Sequence, residues 1–153
     1  MDDNTTLDIG VDSKMRRKYE LSMGKPVGEV MGAIYTQWCT VRMLYDRYNK
    51  LFQDSNHIEM QNAVSPIFGW LQGILWEYLL LRLTNITDHA RYGDHECMST
   101  MLLRERWEAE GKPRLPDLKN LTNRARKKTE FARSWRNRWI AHSDSGCAST
   151  VIT

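Results

Sequence analysis

The sequence predicts an all-α protein, a four-helix bundle with antiparallel neighbours, on three observations. Apolar residues recur every three or four positions through most of residues 31–142, the period of helices that bury one face. No competing strand pattern of alternating apolar and polar residues interrupts them. The polar and Gly/Pro-rich stretches "DSN" at 54–56, "DHARYGDHE" at 88–96 and "GKPRLP" at 111–116 fall between the periodic runs, where helix breaks belong.

Each element follows in order. Residues 1–25 read as a flexible N-terminal arm, with a short helix over "SKMRRKYELSM". Met31, Ile34, Trp38, Val41, Tyr45, Tyr48 and Phe52 then form the seam of a long helix. The second long helix runs from about Ile58 to Thr87, with Pro66 kinking it or starting its main part. One stripe of it is Ile67, Leu71, Ile74, Tyr78 and Leu81, and a second is Phe68, Leu75 and Leu79, so it is expected at the centre. A shorter helix, "STMLLRERWEAE", has Ser99 or Thr100 as its cap. The last helix is expected from Pro116 to about Ala141. Its stripe is Leu118, Leu121, Ala125, Lys128, Ala132, Trp135, Trp139 and His142, with Lys128 out of character. The helical domain therefore covers 26–144, and 145–153 is expected to be a mobile C-terminal tail.

A chain of 153 residues makes one domain. Six tryptophans and eight methionines supply core material, which excludes general disorder. Cys39, Cys97 and Cys147 lie far apart with no CxxC spacing, so a disulfide framework and a zinc ribbon are not indicated. A reducing cytoplasm is the expected location. The start, "MDDNTTLDIGVDSK", is acidic and lacks the apolar run of a signal peptide. The most apolar stretch, "IFGWLQGILWEYLLL", is fifteen residues long and interrupted by Gln72 and Glu77. A membrane span needs roughly 20 apolar residues, so no membrane is expected.

Net charge is +3 but unevenly spread. Residues 112–138 hold ten Lys or Arg against two acids, net +8, and the rest of the chain holds twelve against seventeen, net −5. Such a dipolar molecule offers one face to polyanions. Arg124, Arg126, Lys127, Lys128, Arg133 and Arg138 are the candidates for RNA phosphates. The competing reading is a solvated helix face.

The basic run ends in "RSWRNRWIAHSD". His142 closes the last helix, where a histidine also serves as an ordinary cap favoured by the helix dipole. On an ideal α-helix Arg136, six residues earlier, lies about 120° around and roughly 9 Å along the axis. Arg138, four residues away, is closer in angle, so spacing alone does not choose between the two arginines.

"RNRWIAHSD" resembles the signature of the HEPN superfamily: an arginine, a polar residue, then a histidine after four to six intervening positions. Arg136, Asn137 and His142 fit it with five between. "WRNRWIAHSD" preceded by "LLLRLTNITD" is similar to the AbiU-like branch, named for phage abortive infection, over roughly residues 30–144. One position departs. The second-helix segment of that branch is expected to read arginine, apolar, any, aspartate, and here it is "NITD", with Asn85 for the arginine and Asp88 retained. Arg82 and Arg91 are the alternatives for the missing charge.

The resemblance implies a HEPN-type bundle forming a two-fold dimer, and a metal-independent ribonuclease of toxin or phage-defence type without a cofactor. It implies Arg136, His142 and Asn137 as catalytic residues, with Asp88, Asn85 and Asp144 in support. RNA is the expected substrate, a second copy the expected partner, and a protein antitoxin a further partner class. The chemistry accounts for the residue types. Cutting RNA through its own 2′-hydroxyl needs a base, an acid and fixed positive charge on the phosphate. One histidine serves only one proton transfer at a time, so two copies meeting at a two-fold axis would supply both. The neighbouring arginines are expected to favour neutral His142. The rival reading is a non-catalytic module binding nucleic acid, nucleotide or protein, and a third is a structural bundle. Asp88, His89, Asp94, His95 and Cys97 sit in one loop without a known zinc spacing, and no GxSxG elbow supports a serine hydrolase.

Overall fold

The computed structural model describes residues 13–52, 57–113 and 116–140. The fold is all-α. Its helices are α1 (Ser13–Met23), α2 (Lys25–Phe52), α3 (His57–Thr87), α4 (Thr100–Ala109), α5 (Pro116–Lys128) and α6 (Glu130–Trp135), with a π-helical turn over Arg136–Ile140. The polar loop after α3 carries a minimal antiparallel hairpin, β1 (Arg91–Tyr92) and β2 (His95–Glu96), turned at Gly93.

α1 is the segment "SKMRRKYELSM" and folds back along α2. Gly24, at a φ of 82°, makes the reversal that a residue with a Cβ rarely adopts. Close packing follows at Gly28, where an added Cβ would lie 2.4 Å from the backbone of Glu20. Gly28→Ala is therefore expected to lower stability by about 1–3 kcal/mol, the usual range for overpacking. Gly32→Ala should cost less, because there a Cβ meets Arg16 atoms at 3.1–3.2 Å. Denaturant melts of the two variants check that order, and a Gly28→Ala midpoint equal to wild type would refute it.

α2 and α3 pair antiparallel and hold the core. At one end Tyr48 meets Trp76 and Phe52 meets Phe68, with ring centroids 5.5 and 4.7 Å apart. At the other, Val30, Ile34 and Val41 of α2 pack with Ile86 and Ala90 and with Leu102 of α4. Ser99 caps α4 by accepting from the Leu102 amide. The seams differ from expectation in one respect. Trp38 and Tyr45 are half exposed, and of the two stripes on α3 only that of Phe68 and Leu79 is buried. Ile67 and Trp70 are 64% and 71% exposed, and Leu71, Ile74 and Tyr78 join them on the surface. One chain covers one face of α3 and leaves the other open.

The last helix is not continuous. It breaks at Thr129, between α5 and α6. The Thr129 hydroxyl faces the carbonyls of Ala125 and Arg126 at 3.0 and 3.1 Å, and lies 2.7 Å from the Thr87 hydroxyl on α3. The Ala125 carbonyl also accepts the Thr129 amide at 3.1 Å, so the hydroxyl adds side-chain contacts at the point where the helix ends. The buried face is accordingly Thr122, Thr129 and Ala132, while Leu121, Phe131 and Trp135 of the apolar stripe or beside it are exposed. No helix among the described residues is long and apolar enough to cross a membrane.

Candidate functional site

The last turn of α3 presents Asn85 to solvent, and Asp88, directly after the helix, is buried at 5% exposure. A buried carboxylate needs partners, and α6 and the π turn bring two arginines to it. Arg136 Nη1 donates to Asp88 Oδ2 at 2.5 Å, a charge-assisted contact with both side chains largely shielded. Arg133 Nη1 stands 3.9 Å from Oδ1, an ion pair without a hydrogen bond. Arg136 Nε also reaches Asn137 Oδ1, at 3.4 Å.

The two arginines differ in their surroundings. For Arg136, burial opposes the charged form, but the hydrogen bond and charge of Asp88, with the Tyr92 phenol, outweigh it and raise the pKa. For Arg133, burial dominates and the pKa is lowered, with Arg126 and Arg136 adding repulsion against the attraction of Asp88. Arg133 also donates to the Thr87 carbonyl and hydroxyl, the Thr129 hydroxyl and the Arg126 carbonyl. It ties α6 to the ends of α3 and α5. These donors point inward, to backbone and hydroxyl groups around the break at Thr129.

Arg136, Asp88 and Asn85 line a cleft of about 460 Å³ together with Arg82, Tyr92 and Gln37. Of the two alternatives for the arginine missing at position 85, Arg82 faces this cleft, whereas Arg91 pairs with Glu96 at 3.2 Å. Gln37 arrives from α2, anchored by donation to the Met98 carbonyl at 3.0 Å. Neither Gln37 nor Tyr92 carries a signal in the sequence, because only the packing of α2 against the hairpin region places them here.

The π turn begins at Arg136 itself. Its wider i→i+5 bonding, frequent at functional sites, replaces the α-helix on which the six-residue angle was estimated. His142 and Asp144 lie outside the described residues. Arg138 is exposed and makes no hydrogen bond or ion pair among them, and Arg124, Lys127 and Lys128 are likewise exposed and unpaired there. Arg126 contacts His89 Nε2 at 3.0 Å. Among the described residues no three His, Cys, Asp or Glu side chains converge as a metal site.

The arrangement can hold an anion: a guanidinium fixed by a buried carboxylate, at the wall of an open cleft, with further donors beside it. No curated protein and no solved structure matches the chain. The family model for AbiU2, a HEPN family, matches residues 29–149. That span takes in α2 through the π turn and contains Asp88, Arg136, Asn137 and His142, and the chain belongs to the AbiU2 family of HEPN domains.

Proposed function

We propose that the protein is an endoribonuclease that cuts RNA by attack of the substrate's own 2′-hydroxyl, without a metal and as a homodimer in the cytoplasm. The observation that carries this reading is the Arg136–Asp88 pair at the cleft. One Arg136 N–H is committed to the carboxylate and Nε to Asn137, which fixes the fork while the donors left over serve a phosphate. In the reaction a base takes the 2′-hydroxyl proton, the 2′-oxygen bonds to phosphorus, and the bond to the 5′-oxygen breaks as an acid protonates it. His142 serves as one of these proton carriers, and His142 of a second copy as the other. Arg136 stabilises the charge that gathers on the phosphate, with Asn137 orienting a phosphate oxygen or the imidazole. The exposed stripe from Ile67 to Tyr78 on α3 is apolar surface open to a second copy. Lys127, Lys128, Arg124 and Arg126 extend the phosphate track without reading sequence, because a helix face cannot reach the bases of A-form RNA. A nuclease of toxin type also implies restraint, and a protein antitoxin is the partner class for that role.

One observation favours a second reading. Asn85 faces the cleft where an arginine is expected, so the site has one cation fewer than the family's pattern, and a binding module without cleavage is the rival. Incubation of purified protein with labelled single-stranded RNA in excess EDTA separates the two. Cleavage that persists in chelator and stops when a single 2′-deoxy residue stands at the cut is the expected result. Binding with no cleavage at any protein concentration would leave the module.

A further inference from the structure

The cleft carries a charge beyond the Arg136–Asp88 pair. Arg82 sits one turn before Asn85 on α3, half-buried in the cleft wall. Its Nε and Nη2 both donate to the Tyr78 hydroxyl, at 2.9 and 2.6 Å, and its guanidinium carbon lies 5.0 Å from the Tyr78 ring centroid. Those contacts position the head group without neutralising it. Among the described residues Arg82 has no carboxylate partner, whereas Arg136 has Asp88. Two arginines against one aspartate leave the cleft one positive charge in excess. Among the described residues the remaining Arg82 donors have no partner and are open to an anion.

The rest of the wall fits what such an anion would carry. Tyr92 lines the cleft at 48% exposure, its ring in a T-shaped contact with His89, and Asn85 and Gln37 offer amides beside it. A volume of about 460 Å³ falls within the roughly 300–1,000 Å³ of small-ligand sites. That is space for one splayed-out nucleotide and too little for a helical stretch. The geometry points to a mononucleotide subsite: Arg82, braced by Tyr78, binds the phosphate next to the one cut, and Tyr92 packs against the unstacked base. Single-stranded RNA is recognised in this way, by stacking on an aromatic ring with a cation on the backbone. The identity of the polymer rests on the ribonuclease reading, whereas the phosphate contact does not.

The test uses uridine 3′-monophosphate, uridine, and an RNA made uncleavable by a 2′-deoxy residue at the cut. In NMR titrations the monophosphate should shift the Arg82 Nε–H and the Tyr78 and Tyr92 ring signals, and uridine should not bind comparably. Arg82→Gln should weaken monophosphate binding about tenfold or more, because a charge-assisted contact is lost. For the uncleavable RNA, the slope of log K against log salt should fall by about 0.7, the value for one single-strand phosphate contact. Tyr78→Phe should fall between wild type and Arg82→Gln. Should Arg82→Gln fold poorly, Arg82→Lys keeps the charge, and should retain the salt slope while losing part of the affinity. Unchanged monophosphate affinity and salt slope in Arg82→Gln, or uridine binding as tightly as its 3′-monophosphate, would overturn the subsite even if RNA is cut. Arg82-dependent binding of the monophosphate by a protein that leaves RNA intact would overturn the ribonuclease reading and keep the subsite.

Discussion

His142→Ala is expected to slow RNA cleavage by about 10²–10⁴-fold, the usual contribution of a positioned general acid or base. Arg136→Ala should be comparably damaging and Arg138→Ala milder. The order follows from what holds each arginine. Arg136 is fixed by the 2.5 Å contact to a buried carboxylate, and Arg138, two residues on, is exposed without a hydrogen bond or ion pair among the described residues. Charge alone would make the two equivalent, so the comparison separates a positioned guanidinium from a general basic surface. Single-turnover rates at saturating protein measure the effect free of binding differences. Equal losses at 136 and 138 would mean that positioning by Asp88 contributes nothing.

Asp88→Ala is expected to have the largest effect on stability, about 3–5 kcal/mol, as when one partner of a buried ion pair is removed. The carboxylate is 6% exposed, with Arg136 on one oxygen and Arg133 near the other. Without it, two guanidiniums face each other in a shielded place. Asp88→Asn keeps the shape and an acceptor for Arg136 and should lose less. Adding Arg136→Met to Asp88→Ala should recover part of the loss, since one of the two uncompensated charges is then gone and Arg133 no longer faces a second guanidinium. Urea unfolding of the four proteins gives the comparison. An Asp88→Ala variant as stable as wild type would show that the carboxylate is not what holds α6 against α3.

The long helices were legible because their signals are local. The three-and-four spacing marks α2 and α3, and Ser99 announces the start of α4. The break at Thr129 was not legible, because the apolar spacing runs through it with only Lys128 out of place. It depends on a hydroxyl pair across 42 residues and on Arg133 turning back to the Arg126 carbonyl. The same limit applies to the arginines. Arg133 and Arg136 are one residue type three positions apart, and only the location of Asp88, fixed by the end of α3, makes one a brace and the other a cleft residue. The stripe of Ile67, Leu71, Ile74 and Tyr78 reads as core in the sequence because periodicity reports an apolar face without saying whether the same chain or another covers it. Arg136, Asn137, Asp88 and Asn85 were all named from the sequence, through the resemblance of "RNRWIAHSD" and "NITD" to the family's pattern. The cleft that unites three of them with Arg82, Gln37 and Tyr92 is tertiary.

The ends of the RNA fragments test the central claim most directly. If the 2′-hydroxyl is the attacking group, mass spectrometry of the products formed in EDTA should find a 2′,3′-cyclic phosphate on one fragment and a 5′-hydroxyl on the other. The yield should collapse in His142→Ala. Fragments ending in a 3′-hydroxyl and a 5′-phosphate, or the same yield from wild type and His142→Ala, would contradict the account.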